Sequence, residues 1–369
     1  MTSMRRLLDL GQSVWLDYLS RRMTRSGELH TLIADGLRGM TSNPTIFEHA
    51  IAGTPDYDQD LTALAGSART DRDIFETLAI EDVGEAADVF RAVFDSTAGG
   101  DGFVSLEVSP RLAHDTEGSV AEARLLWKAL NRPNVMIKIP GTREGWPAIE
   151  RCLFEGININ ITLLFSVKHY RAVAEAYLRA LEARLERGQP IDRIASVASF
   201  FVSRVDTEVD DRIRRHGGSL TALRGNVALA SARLAYATFL EIGRTDRWRA
   251  LEAKGAKPQR LLWASTGTKN PEYSDVLYVD SLIGPYTITT VPPATLRLFE
   301  DHGQVSRTLG EDDATEARQV MKALGDGGID FADVNHTLEE AGIETFVNSL
   351  DSLLGVIANK RRALRADLD

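Results

Sequence analysis

Ile157-Asn158-Ile159-Asn160-Ile161-Thr162 alternates an isoleucine with a polar residue at every step. Side chains on a strand alternate between two faces, so one face here is apolar and the other carries Asn158, Asn160 and Thr162. Four more segments share this phase. Trp15 and Asp17 lie on one face of Ser13–Tyr18, Ser105 and Glu107 on one face of Gly102–Val108, Met136 and Lys138 on one face of Asn134–Ile139, and Ser199 and Phe201 on one face of Ile194–Phe201. Gly39–Asn43, Arg260–Ser265 and Tyr286–Val291 complete a set of eight strand-like segments. Helical patterns separate most of them. One follows Ser109, with Ala121, Leu125, Leu126 and Trp127; another follows Phe165, with Tyr170, Ala174 and Tyr177. Strands alternating with helices predict a parallel sheet, and eight of them predict an α/β fold of the (β/α)8 TIM-barrel type. A doubly wound sheet is the alternative, and the polar strand ends argue against it.

An ordinary barrel interior is filled by branched apolar residues. Polar residues on successive inward faces, close to the carboxyl ends of the strands, therefore mark a site. After Val291 the chain continues through a polar stretch, Asp301–Gly342, with helical patterns around Glu316–Leu324 and Phe331–Glu340. A last helix is expected around Phe346, Leu350, Leu353, Leu354 and Ile357, an apolar stripe that reads as core or interface. Lys360, Arg361, Arg362 and Arg365 then suit the negative end of its dipole. No repeat or Pro-rich linker marks a second domain, so one barrel domain is expected over 1–369, with 301–369 as a helical extension.

The chain has 369 residues, a formal charge of −10 and 43% hydrophobic content. A chain of this length buries a sizeable core without a disulfide or metal staple. The acidic balance argues against a nucleic-acid surface, because neutralising phosphates needs a basic face. Met1–Leu10 is basic but has no apolar h-region, and no stretch approaches the roughly 20 apolar residues of a membrane span. Cys152 is the single cysteine, which suits a reducing cytoplasm and reads as a small core residue.

Lys138 interrupts the apolar run Val135-Met136-Ile137-Lys138-Ile139-Pro140, which Gly141-Thr142 closes as a turn. Lysine is almost never fully buried unless it is paired or working. A lysine in a desolvated site is an available nucleophile for a carbonyl carbon. The alternative is a strand-end lysine whose ammonium snorkels to water. Its neighbours on the inward faces are Asp17, Glu107, Asn160 and Thr162, and that company suggests Schiff-base chemistry. An imine formed on a ketone becomes an electron sink for cleaving the adjacent carbon–carbon bond. One acid/base is then needed for dehydration and another for the β-hydroxyl, tasks that Glu107 and Asp17 can divide.

At these residues the chain resembles the transaldolase family. The segments concerned are Trp15-Leu16-Asp17, Thr41-Ser42-Asn43-Pro44-Thr45, Val104-Ser105-Leu106-Glu107-Val108, Ile137-Lys138-Ile139-Pro140-Gly141-Thr142, Asn160-Ile161-Thr162-Leu163-Leu164-Phe165-Ser166 and Ala264-Ser265-Thr266-Gly267-Thr268-Lys269-Asn270-Pro271. The resemblance runs from about Gln12 to Pro293 and is to the longer bacterial members. It implies a class I aldolase barrel without metal or organic cofactor, working in the cytoplasm on sugar phosphates as a monomer or homodimer. The implied reaction moves a dihydroxyacetone unit from sedoheptulose 7-phosphate to glyceraldehyde 3-phosphate, giving erythrose 4-phosphate and fructose 6-phosphate. By motif, Lys138 is the Schiff-base lysine, Asp17 the base at the C4 hydroxyl, and Glu107 the dehydration acid/base working with Thr162. Thr41, Asn43 and Asn160 fall to the dihydroxyacetone end, and Ser199, Phe201, Arg204 and Ser265 to the phosphate end. Shorter members carry an arginine two residues after that last serine. Here Gly267 stands in its place and Lys269 is the nearest cation.

Three rival readings remain on the sequence. A fructose 6-phosphate aldolase would release free dihydroxyacetone, but those chains are shorter and lack the extra helices. A metal-dependent barrel would have to use Asp206, Asp210 and Asp211, whose helical spacing reads instead as a solvated face. A non-catalytic sugar-phosphate-binding barrel has no need of a neutralisable lysine.

Overall fold

Gln12–Asp17 (β1), Leu37–Thr41 (β2), Phe103–Glu107 (β3), Val135–Pro140 (β4), Ile159–Leu164 (β5), Ser196–Phe201 (β6), Arg260–Ala264 (β7) and Thr287–Val291 (β8) form a closed barrel in chain order. Each strand runs parallel to both neighbours, and β1 pairs with β8 to close it. The structure, a computed structural model, describes residues 2–65 and 68–366. The expected (β/α)8 architecture is therefore the one observed, with strand ends within about two residues of those read from the alternation.

The inward phase is fixed by Trp15. A Cβ at Gly39 would stand 2.6 Å from its indole ring, so the absent side chain on β2 is what admits the ring to the barrel interior. Below it, Ser13 Oγ donates to Asp101 at 2.6 Å, and Arg260 pairs with the same carboxylate at 3.1 Å. The floor is thus polar and tied together by charge, although Arg260 Nε finds no partner among the described residues. Outward residues alternate with these and are apolar, as with Phe200 and Trp263, whose rings meet edge to face at 6.3 Å.

β5 departs from strict alternation. Leu163 has φ +58°, and the β5–β6 register shifts between Ile161 and Leu164. A left-handed leucine is strained and costs of order 1–3 kcal/mol. The bulge ends the isoleucine–polar period just after Thr162, at the rim of the barrel.

Helices fill the outer ring, with two corrections to the sequence reading. In Thr116–Leu130 it is Val120, Ala123, Leu126 and Leu130 that are buried, whereas Leu125 is 69% exposed. The two expected C-terminal helices are one, Phe331–Ala366, continuous through Gly342. A side chain at Gly342 would stand 2.9 Å from Leu163 and 3.5 Å from Arg204, so glycine permits the close crossing at a helix-propensity cost of about 1 kcal/mol. By length and composition this helix could cross a membrane, contrary to the expectation that no stretch approaches that. Phe346, Leu350, Leu353 and Ile357 are instead buried against the barrel domain. Thr45 and Ser349 join their hydroxyls at 2.8 Å, and Lys360 pairs with Asp58 at 2.8 Å, fastening the helix to the segments after β2.

Asp206 and Asp210 are not on a solvated face. Both are buried, and only Asp211 is exposed, where it pairs with Arg214. Asp206 accepts from the Tyr278 hydroxyl at 2.9 Å and the Ala228 amide at 2.8 Å. Asp210 accepts from the Tyr273 hydroxyl at 2.5 Å. The two carboxylates tie the helix Ser203–His216, which follows β6, to the loop after β7. They are structural anchors rather than a ligand set.

Burial pushes the Asp206 carboxyl up to about 7, against the lowering effect of its two hydrogen bonds. Its unfolded value is about 3.9, so between roughly pH 4 and 7 the folded state holds a proton that the unfolded chain releases. The stabilisation from that proton is complete below this window and is lost as pH rises through it. Asp206→Asn should therefore flatten the fall in thermal midpoint from about pH 4 to 7, measured by scanning calorimetry beside the wild type. An unchanged slope would show that Asp206 titrates as an ordinary carboxylate.

Candidate active site

Lys138 lies on β4 beside Glu107 of β3, with their Cα atoms in register. Lys138 is only 4% exposed, and its Nζ stands 3.1 Å from Glu107 Oε2. The same Nζ donates to the Ser42 carbonyl at 3.1 Å. The snorkelling alternative is excluded, since the ammonium lies inside the barrel. Neither Glu107 oxygen makes a hydrogen bond among the described residues, so the Lys138 contact is an ion pair rather than a well-aligned bond. Burial pushes the Glu107 carboxyl upward, opposed chiefly by the charge of Lys138 and reinforced by Asp17. Burial thus disfavours the charged form of the carboxyl that faces the ammonium.

Lys138 opens onto a cavity of about 390 Å³ at the carboxyl ends of the strands. Asp17, Thr41, Asn43, Thr162, Ser199, Phe201, Arg204, Ser265 and Lys269 all line it. Ten of the twelve residues singled out from sequence thus face one space. Glu107 and Asn160 are not among its lining, although both lie in register with Lys138.

Asp17 ends β1 and accepts from Thr41 Oγ1 at 2.7 Å, and Thr41 in turn meets Thr290 Oγ1 at 3.0 Å. The two threonines fix the carboxylate across β1, β2 and β8. Thr162 Oγ1 is buried and has no hydrogen-bond partner among the described residues. Asn43 caps the helix Pro44–Gly53, its Oδ1 accepting from Ile46 N at 3.0 Å, so its amide nitrogen is the atom left for substrate. Asn160 is committed at both ends. Its amide donates to Ser105 Oγ at 3.0 Å, and its oxygen accepts from Ser199 Oγ at 2.7 Å.

The far side of the cavity is cationic. Arg204 stands 5.4 Å from the ring centroid of Phe201 and 5.7 Å from that of Phe346. It makes no ion pair among the described residues; Asp206 is held by Tyr278, and Glu208 pairs with Arg212. Burial lowers its pKa from the usual guanidinium value, opposed by Asp17 and Glu107. Ser265, at φ +57°, shares a 2.9 Å contact with Ser203 Oγ. Lys269 is exposed at the rim.

Two contributors were not singled out from sequence. Ser42 serves through its carbonyl, which no side-chain pattern reveals. Phe346, 5.9 Å from Lys138 Nζ, comes from the C-terminal helix together with Thr345. Its apolar stripe is legible, but a stripe does not say which end covers a barrel mouth.

The model of the family described as Transaldolase/Fructose-6-phosphate aldolase matches residues 14–357. The chain belongs to this family. Relatives named Transaldolase include one from Saccharopolyspora erythraea, 51% identical over 95% of each chain. Another, from Thermobifida fusca, is 48% identical over 98% of each. A third, from Trichodesmium erythraeum, is 46% identical over 96% of this chain and 97% of its own. The match extends beyond Pro293, where the motif resemblance stops, and takes in most of the C-terminal helix.

Removing Lys138 should expose the cost of the buried carboxylate. Lys138→Met leaves Glu107 unpaired, and breaking a buried pair costs about 3–5 kcal/mol when the remaining charge is forced to stay. Because the Glu107 pKa is raised, that loss should be absent below the unfolded carboxylate value of about 4.3 and grow as pH rises. Denaturant titrations across pH read this directly. A second substitution, Glu107→Leu, should recover stability and remove the slope; a penalty independent of pH would place the cost in packing instead.

Proposed function

We propose that the protein is a transaldolase working through an imine on Lys138. The observation that carries this reading is the buried Lys138–Glu107 pair at 3.1 Å, opening on a cavity whose far wall holds the unpaired Arg204. Proton transfer from Lys138 to Glu107 frees the amine, which adds to the ketone carbon of sedoheptulose 7-phosphate. Glu107 returns the proton to the carbinolamine hydroxyl, water leaves, and the protonated imine remains. Thr162 supports that water with its free hydroxyl. Asp17 then takes the proton of the C4 hydroxyl, the C3–C4 bond breaks into the imine, and erythrose 4-phosphate departs.

The enamine left on Lys138 adds to glyceraldehyde 3-phosphate, and hydrolysis of the new imine releases fructose 6-phosphate. Phe346 supports transfer over simple cleavage, because a phenyl ring above the enamine limits its protonation by water before an aldehyde arrives. Thr41 and Asn43 hold the dihydroxyacetone end. Asn160 acts from beneath, keeping Ser105 and Ser199 in place. Arg204, with Ser199, Ser265 and Lys269, takes the phosphate, while Phe201 supports the guanidinium. A reducing cytoplasm suits a chain whose one cysteine is buried.

Borohydride reduction with fructose 6-phosphate should add a stable mass to the peptide containing Lys138. Lys138→Arg should abolish the adduct. Asp17→Asn should retain it while turnover falls by orders of magnitude, because imine formation precedes the step Asp17 serves. An adduct that persists in Lys138→Arg sinks the assignment.

The phosphate reading is tested separately. A charge-assisted hydrogen bond contributes roughly 1.5–3 kcal/mol, so Arg204→Ala should raise KM for phosphorylated donors by about 10- to 150-fold. Free dihydroxyacetone, added as donor, should be affected far less. If Lys269→Ala changes both donors equally, Lys269 is a loop lysine only.

A further inference from the structure

A cavity of about 810 Å³ lies among the outer helices and shares no lining residue with the barrel mouth. Three buried polar atoms on its walls have no hydrogen-bond partner among the described residues: Ser231 Oγ, Asn335 Oδ1 and Glu339 Oε2. Their residues are 1%, 8% and 8% exposed, so bulk water does not explain them. Glu339 Oε2 stands 3.2 Å from His169 Nδ1 as an ion contact only. Buried polar groups are paired in the great majority of cases, and three orphans converging on one space call for a partner they share.

The same cavity has a cationic side. Arg143 and Lys168 line it, are exposed, and make no ion pair among the described residues. Lys168 belongs to the first turn of the 20-residue helix Val167–Glu186, whose positive end therefore faces the same space. Two permanent cations and a helix amino end select an anion of more than one charge. The orphans select something else. An ionised carboxylate only accepts hydrogen bonds, so whatever meets Glu339 must donate, whereas Ser231 can do either. The volume falls in the usual range for small-ligand sites.

We propose that this cavity binds a small phosphorylated polyol, its phosphate held by Arg143 and Lys168 and its hydroxyls by Ser231, Asn335 and Glu339. The inference does not depend on Lys138 forming an imine.

Glucitol 6-phosphate is the probe, since it has no carbonyl and forms no imine. Calorimetric titration of Arg204→Ala, in which the barrel mouth is weakened, should still show one equivalent bound. Adding Arg143→Ala and Lys168→Ala to that background should weaken binding by about tenfold or more. Both residues are exposed, so the fold is not at stake. Ser231→Ala should weaken binding several-fold while leaving the ligand-free thermal midpoint unchanged or higher, because an orphan hydroxyl contributes no bond to lose. Inorganic phosphate and glucitol should each bind at least tenfold more weakly than the probe. The proposal is overturned if Arg204→Ala alone abolishes binding, if the three outer substitutions leave it unchanged, or if inorganic phosphate binds as well as the probe.

Discussion

A lysine and a glutamate held 3.1 Å apart inside the barrel wall set the terms for everything around them. Desolvating two charges costs several kcal/mol per ion, and mutual attraction repays this only where the remaining polar atoms are also met. Lys138 has a second acceptor in the Ser42 carbonyl, but Glu107 has no other hydrogen bond among the described residues. The carboxylate is therefore the unstable member. Its raised pKa, to which the neighbouring Asp17 contributes, favours the protonated form of Glu107. A buried pair so poorly compensated is the feature that marks this as a candidate site.

The remainder of the barrel interior compensates by leaving few polar groups unmatched. Asn160 is satisfied by Ser199 of the adjacent β6 and by Ser105 of β3, two strands away, and Asp17 is fixed by Thr41, itself in contact with Thr290. These links run across strands rather than along them, so each functional side chain is positioned by its neighbours' backbone as well as its own. Closure of the sheet makes this possible, since each strand has partners on both sides. At the rim, Leu163 and Ser265 adopt left-handed backbone that shapes the mouth.

The period-two alternation made the fold legible, because barrel strands read the same way whichever helices connect them. It also brought most of the site to view, since polar residues on an inward phase violate an ordinary core. Readings failed where pattern carries no direction. Asp206, Asp210 and Asp211 share a helical spacing, but two turn inward to tyrosine hydroxyls and one turns out to Arg214. Leu125 looks like part of an apolar face but is exposed, because Val120, Ala123, Leu126 and Leu130 already fill the side of the helix facing the barrel. The bulge at Leu163 follows from backbone geometry that leucine does not advertise. Ser42 acts through an atom that every residue possesses.

The C-terminal helix is legible in the sequence as an extension with a buried apolar stripe, but its continuity from Phe331 is not, and the reason is physical. Its apolar stripe, read alone, predicts burial without saying against what. The deciding residue is Gly342, which a propensity argument counts as a defect in the middle of a helix. In the fold it lets the helix pass over β5 and Arg204 closely enough for Phe346 to stand above Lys138. Seven and three residues before that crossing, Asn335 and Glu339 face a different cavity. A single rigid element thus borders both spaces, and a side chain at position 342 would have to displace the tip of Leu163, 2.9 Å from its Cβ, at the edge of the mouth.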